Sequence, residues 1–298
     1  MPSWSELEQF LVSGLALGGV YALSGVGLVV LYRATGVLYL AFGAVGAMGA
    51  FLTYQMAQAA APGWAGWIVC IVFGGIVTLI YGMIFGRALA GRDTLVRAVA
   101  TLGLTLIVFG AMELLWPPTS GATRAISLPT DNGGFTLFGL QVTWTQVIAL
   151  GAGVVLTIAT AAFLRFTKLG TAMRAMANDR VITATLGVPV RRVEAAAWFG
   201  CGILSGFAGL LLADLVQLDP ATLTFLVISS LAAALIARLR SITLTFIAAI
   251  VIGVVHDLLT PFTALTNYRD MTPFVLAAIA LLVVSRHRTV MTRSREEA

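Results

Sequence analysis

The groups in this chain that could move a proton or hold a metal are few and scattered. His256 and Asp257 are its only histidine–carboxylate neighbours. Sharing one site, they could act as general acid and base or as a proton relay. Adjacent residues on a helix point about 100° apart, however, so the pair is not expected to converge on one substrate atom. Glu113, like His256 and Asp257, falls toward the outer end of an apolar stretch, and the middles of these stretches are almost free of ionisable side chains. A proton-coupled transporter needs acids or histidines there, so that class is disfavoured. No Gly-x-x-x-x-Gly-Lys-Ser/Thr loop, His-Glu-x-x-His pair or Gly-x-Ser-x-Gly elbow occurs, so the chain is not expected to hydrolyse nucleotides itself. Cys70 and Cys201 lie in apolar stretches without metal-ligand spacing and read as small buried hydrophobes. Neither a catalytic residue nor a metal ligand is expected.

What surrounds these groups is a bilayer-spanning sequence. Hydrophobic residues make up 59% and charged residues 10% of the 298 positions, with a mean hydropathy of +0.97. A span needs about 20 apolar residues to cross roughly 30 Å of hydrocarbon. The chain offers stretches at 7–31, 36–59, 64–86, 94–116, 144–164, 193–213, 221–237, 241–260 and 271–285. The second is rich in glycine and suits a broken helix, and the seventh and ninth are short. The expected fold is therefore all-α and polytopic, one membrane domain over 1–298 with eight or nine transmembrane helices. All Lys and Arg but Arg124 and Arg269 fall in alternate joints, and basic joints stay in the cytoplasm. That puts the N-terminus outside, the C-terminus inside and the chain in the cell inner membrane. The N-terminus lacks the basic region and cleavage site of a signal peptide, so the first span should be retained. The overall charge of +5 is first an orientation signal, and the basic face also suits an acidic lipid surface or protein. Small-residue pairs at Gly14/Gly18, Gly82/Gly86 and Gly202/Gly206 favour close helix approach, within the subunit or between subunits.

Two joints exceed simple turns. The extracytoplasmic one, 117–143, carries the turn cluster Asp131-Asn132-Gly133-Gly134 and then a β-rich segment around Gly139 that suits a hairpin. It either covers the helix ends or contacts another molecule. In the cytoplasmic one, 165–192, Leu169, Ala172, Met173, Met176 and Ala177 recur at helical spacing. Asp179 is a good N-cap for a second short helix from Arg180 to Leu186, which Gly187 and Pro189 end. Membrane lipid or a cytoplasmic protein must cover the apolar stripe, and a protein is the preferred reading.

The same joint carries a resemblance. Lys168-Leu169-Gly170-Thr171-Ala172-Met173-Arg174-Ala175, with Asp179, Leu186-Gly187-Val188 and Arg192-Val193, resembles the cytoplasmic loop of branched-chain amino acid ABC importer permeases. Gly14–Leu28, Leu31–Gly43, Arg97–Thr105 and Tyr268-Arg269-Asp270 are similar to that family too, in order along the whole chain. The resemblance implies a permease subunit beside a second permease, a paralogue or an identical copy. Two cytoplasmic ATPases, which bind ATP and Mg, and an extracytoplasmic solute-binding protein would complete the importer. The 165–192 loop would couple to an ATPase through Leu169, Met173, Met176, Asp179, Arg180, Leu186 and Gly187. Two departures stand out. Tyr39-Leu40-Ala41-Phe42-Gly43 replaces the family's N-F-A-H-G, and Ala237-Arg238-Leu239-Arg240-Ser241 replaces G-G-x-G-S. The family also carries urea, short amides and aromatic acids.

The expected function is import of a small solute, a branched-chain amino acid or a related amide, urea or organic acid. Tyr21, Ser24, Tyr39, Phe42, Thr101 and Thr105 are candidate path residues for their polarity or aromaticity within spans, although helix–helix hydrogen bonding or packing would explain each of them as well. A stand-alone channel or facilitator is the alternative, and an intramembrane enzyme is disfavoured by the missing acid clusters. Orientation is directly testable in a background lacking Cys70 and Cys201. Cysteines at Thr119, Asp131 or Ala264 should react with an impermeant thiol reagent added to intact cells, and cysteines at Asp93, Asn178 or Thr292 should not. Labelling at Asn178 from outside would reverse the topology.

Overall fold

The computed structural model describes residues 4–59, 62–89, 91–117, 134–137, 140–225, 227–262 and 271–279, with Arg124, Ile126 and Leu282. Most of the long outer joint, including Asp131-Asn132-Gly133, lies outside the described residues. So do Tyr268-Arg269-Asp270, the end of the ninth expected span and the basic tail. The helices are α1 (Trp4–Thr35), α2 (Phe42–Gln58), α3 (Gly63–Ala88), α4 (Thr94–Leu115), α5 (Trp144–Phe166), α6 (Lys168–Asn178), α7 (Arg180–Thr185), α8 (Val190–Leu215), α9 (Pro220–Phe225), α10 (Val227–Ile236) and α11 (Ile242–Leu258), followed by a helical run over 272–279. Five of them, α1, α3, α4, α5 and α8, are long and apolar enough to cross a bilayer alone. The chain is an all-α polytopic membrane protein. A single antiparallel pair, β1 (Gly134–Leu137) and β2 (Leu140–Thr143), sets Leu137 opposite Leu140 in the segment where a hairpin was expected. It feeds α5 through a reciprocal cap, with Thr143 Oγ1 accepting from Gln146 N and Gln146 Oε1 accepting from Thr143 N.

Burial separates the core helix from the lipid-facing ones. The apolar window of α1 is 89% buried, against 22% for those of α4 and α5. A helix apolar on every side needs protein or lipid all round. Around α1, protein is supplied by α5, α6, α8, α10 and α11. On the outer helices the exposed apolar residues recur at helical spacing, as with Ile68, Ile76, Ile80 and Ile84 on α3 and Leu95, Val99, Leu102 and Leu106 on α4. Such continuous apolar faces belong against lipid.

The expected second span is broken, as its glycines suggested. Residues 36–41 are not helical, Gly36 takes φ +69°, and α2 begins only at Phe42. Irregular backbone survives at membrane depth only where protein meets its peptide groups. Here Thr101 Oγ1 on α4 donates to the Leu38 carbonyl at 2.9 Å, or to Ala98 at 2.8 Å, and accepts from Leu40 N at 3.1 Å. Thr35 Oγ1 accepts from Val37 N at 3.2 Å. The expected seventh span falls on α9 and α10, and Leu226 between them lies outside the described residues.

Backbone-to-backbone seams hold the bundle, and each of the three expected glycine pairs packs within the subunit. Gly14 and Gly18 face Gly253 and Val254 of α11, Gly82 and Gly86 face Trp198, and Gly202 and Gly206 face Gly74 and Cys70 of α3. A Cβ added at Gly206 would collide with the Cys70 carbonyl, which is backbone and has no rotamer to yield. At Gly151 nothing lies within 4 Å. Gly206→Ala should therefore lower thermal stability in detergent, by about 1–3 kcal/mol as for other overpacked cores. Gly151→Ala should be neutral or stabilising, since it only improves helix propensity. Melting by size-exclusion or scanning fluorimetry separates the two, and equal melting temperatures would contradict this seam.

Candidate functional site

The candidate path residues divide into two groups. Tyr21 and Ser24 on α1 and Phe42 at the start of α2 come together around a small internal void. The void is completed by Ser205 and Gly209 of α8 and by Ser230 of α10. Its volume of about 10 Å3 is at the lower limit for one water. Ser205 Oγ donates to the Phe42 carbonyl at 2.6 Å, which ties the break before α2 to α8. Ser24 Oγ is turned back on the Val20 carbonyl at 3.0 Å. Ser230 Oγ is buried in the wall without a hydrogen-bond partner among the described residues. Ser205 and Ser230 were not singled out from the sequence; both are small polar residues in apolar runs, a signal shared with many packing positions.

The other three candidates do not reach this void. Tyr39 is stacked edge-on against Trp198 with ring centres 5.4 Å apart, lies 6.4 Å from Tyr81, and hydrogen-bonds Thr78 at 3.2 Å. Thr101 holds the broken segment, and Thr105 Oγ1 donates to the Thr101 carbonyl at 3.1 Å. Their polarity is spent on helix packing. On the opposite face of α9–α10 from the void lies a cleft of about 350 Å3, between Phe225, Ser229, His256 and Phe274. His256 Nδ1 and Asp257 Oδ1 approach to 3.4 Å, closer than adjacent helical positions suggested, and the His256 ring meets Tyr21 edge-on.

At the arginine-rich end the expected pair of short helices is present. Thr167 caps α6, its Oγ1 accepting from Gly170 N at 2.9 Å. Asp179 caps α7, its Oδ1 accepting from Val181 N at 2.8 Å and Ile182 N at 2.9 Å. Gly187, at φ +81°, and Pro189 separate α7 from α8. The expected uncovered stripe is corrected here. Met173 and Met176 are 3% and 6% exposed, because α6 folds back on α1, α5 and α8 and covers them with the chain itself. The apolar surface left bare is on and after α7, where Val181, Ile182 and Leu186 are 73%, 58% and 76% exposed, with Leu169 at 41% beside them. Arg180 pairs with Glu194 at 2.7 Å and pins α7 to the start of α8.

The same end holds a vestibule of about 1010 Å3 lined by the C-terminus of α1, the N-terminus of α4, α6, Arg180 and the turn after α10. That turn has a recognisable geometry. Arg238 N donates to the Leu235 carbonyl and Leu239 N to the Ala234 carbonyl, each at 2.8 Å, the two bonds of a Schellman stop. Arg238 occupies the left-handed position that glycine normally takes. Among the described residues Arg238 (φ 53°) and Leu239 (φ 55°) are the only non-glycines with positive φ, a conformation that costs an L-residue about 1–2 kcal/mol. The expectation that losing the family's glycines would bear on local geometry thus has its physical form. The turn keeps a glycine's conformation with an arginine in it.

At the other end Arg124 donates to the Trp116 carbonyl at 3.1 Å and the Pro117 carbonyl at 2.8 Å. Its own carbonyl accepts from Leu218 N at 3.1 Å. It joins the end of α4 to the α8–α9 link and is structural.

The family model described as branched-chain amino acid transport system / permease component matches residues 10–284. A probable branched-chain amino acid transport permease protein LivH of Methanocaldococcus jannaschii is 32% identical over 66% of this chain and 62% of its own length. The high-affinity LivH permease protein of Escherichia coli is 24% identical over 93% of this chain and 95% of its own. The BraD permease protein of Pseudomonas aeruginosa is 23% identical over 95% of both. These relatives are transport permease proteins and not enzymes, and by the match over residues 10–284 the chain belongs to the branched-chain amino acid transport system permease component family.

Proposed function

We propose that this chain is one permease half of an ATP-driven importer in the cell inner membrane, with the arginine-rich end in the cytoplasm and the N-terminus outside. The observation that carries the reading is the bare apolar surface of α7. A six-residue helix with Val181, Ile182 and Leu186 exposed is unstable in water by itself, and its cap at Asp179 and clamp at Arg180–Glu194 hold it rigid for a partner. The partner is a cytoplasmic ATPase, one of two, each supplying ATP and Mg. A second permease copy or paralogue completes the pathway, and an extracytoplasmic solute-binding protein delivers the solute. The solute belongs to the class of branched-chain amino acids and related amides, urea or organic acids.

Met173 and Met176 act in this scheme by seating α6 on α1, α5 and α8, so that force arriving at α7 reaches the core. Tyr21, Ser24 and Phe42 line the path in a closed state, with Ser205 and Ser230 as its further polar contacts. Tyr39, Thr101 and Thr105 hold the broken segment that presents Phe42.

Val181→Glu and Leu186→Glu should each abolish ATP-driven uptake in proteoliposomes while leaving insertion and folding intact. An ionised carboxylate buried unpaired in a protein groove costs several kcal/mol, whereas in the free permease both positions face water. Met173→Glu should instead reduce the yield of folded protein. Wild-type uptake by Leu186→Glu would sink the coupling role, and uptake indifferent to ATP would favour a stand-alone channel.

Phe42→Ala removes the bulkiest wall of the void. It should shift uptake toward larger solutes and cost about 3–5 kcal/mol of stability if the cavity does not refill. Competition uptake with solutes of graded size measures the first effect, and an unchanged profile at normal expression would remove Phe42 from the path.

A further inference from the structure

Five arginines from four separate parts of the chain, Arg33, Arg97, Arg180, Arg238 and Arg240, converge on the vestibule at the end of α1. Arg33, Arg97 and Arg180 are half-buried, and Arg238 and Arg240 are exposed. The cytoplasmic preference for basic residues accounts for their sign but not for their convergence on one concavity. Glu194 answers only one of them directly, through Arg180. Arg97 Nε donates to the Arg92 carbonyl at 2.9 Å, and its Nη1 lies 3.4 Å from the Thr35 carbonyl, so its guanidinium is held in place at the rim. The turn gives a second, independent observation. Arg238 stands at a left-handed position that glycine would fill without strain, and strained non-glycine backbone clusters at ligand clamps and other functional sites. A low-dielectric bowl lined by one sign of charge concentrates ions of the other sign.

The vestibule lies on the same two helices as the internal void. Ser24 and Tyr32 on α1, and Ser230 and Arg238 at α10, bracket the two cavities, about 12 Å apart by the helical rise. The void offers hydroxyls and aromatic faces and no charge. An anionic solute leaving it would meet its first full counter-charge in this bowl. We propose that the vestibule is an organic-anion site, recognising a carboxylate through Arg238 and Arg240, and that the cargo carries net negative charge as it leaves. This rests on the importer reading for direction, but the site itself does not require transport.

The test uses the full-length chain in phosphatidylcholine nanodiscs with Asn178→Cys at the vestibule wall. Both native cysteines are buried, so the unsubstituted chain is the blank. A sulfonate-bearing methanethiosulfonate should modify this thiol about tenfold faster than a trimethylammonium one, each normalised to free thiol. Arg238→Gly with Arg240→Ser should bring the ratio toward unity. The glycine removes strain, so this variant should melt no lower than the parent. Arg33→Gln offers a second reduction of charge outside the turn. Isovalerate should slow modification, and isovaleramide, of the same skeleton without charge, should not. A ratio near unity in the parent, or no protection by isovalerate, overturns the proposal. Protection only by added phosphatidylglycerol would assign the bowl to a lipid headgroup and overturn the cargo class. ATP-independent uptake would sink the importer reading while leaving these labelling results intact.

Discussion

In hydrocarbon a peptide group without a partner costs several kcal/mol, and this single constraint decides where the chain is allowed to stop being helical. It stops within the apolar stretch before α2. At that break the Thr101 hydroxyl takes the place of the missing helical bonds by serving Leu38 and Leu40 together. The rest of the interior follows from that substitution. Phe42 becomes the first residue of a new helix, its carbonyl accepts a further bond from Ser205, and the residue lines the small void. The non-helical backbone before α2 is thus held by a threonine on α4, a neighbouring helix whose apolar window is only 22% buried.

Much of the architecture was legible in the sequence because the bilayer enforces simple rules. Length and hydropathy placed the long spans, and the glycines at 36, 43, 46 and 49 announced the broken helix. Asp179, Gly187 and Pro189 marked α7 because capping and stopping are local chemistry. The site was less legible. Helical periodicity shows that Met173 and Met176 share a face, but it carries no information on whether that face turns toward a partner or back onto α1. Tyr39 and Thr101 likewise read as path residues from polarity alone. What absorbs their polarity, Thr78 in one case and the backbone of 38–40 in the other, is contact distant in sequence. The turn after α10 was visible as a loss of glycines, but its left-handed φ angles belong to the fold.

Charge in this protein is distributed by job. Arg124 satisfies carbonyls at the end of α4 and Arg180 fastens α7 through Glu194, so each has a definite structural partner. Arg238 stands instead, exposed, at a left-handed position that glycine would fill without strain. That contrast separates bases that fasten the molecule from one that strains it.

The glycine seams have a consequence for descent. Where Gly46 faces Gly209, or Gly206 faces Cys70, each backbone is the other's wall, and no side chain can be exchanged without parting the helices. The lipid-facing residues of α3, α4 and α5 need only remain apolar, so a lineage can rewrite them freely. Identity can therefore fall to 24% over nearly the whole length while the bundle persists. The void joins the two extremes, since Gly46 and Gly209 of the seam stand in its wall beside Tyr21, Phe42 and Ser230. Its shape is therefore locked on one side by backbone and set on the other by side chains.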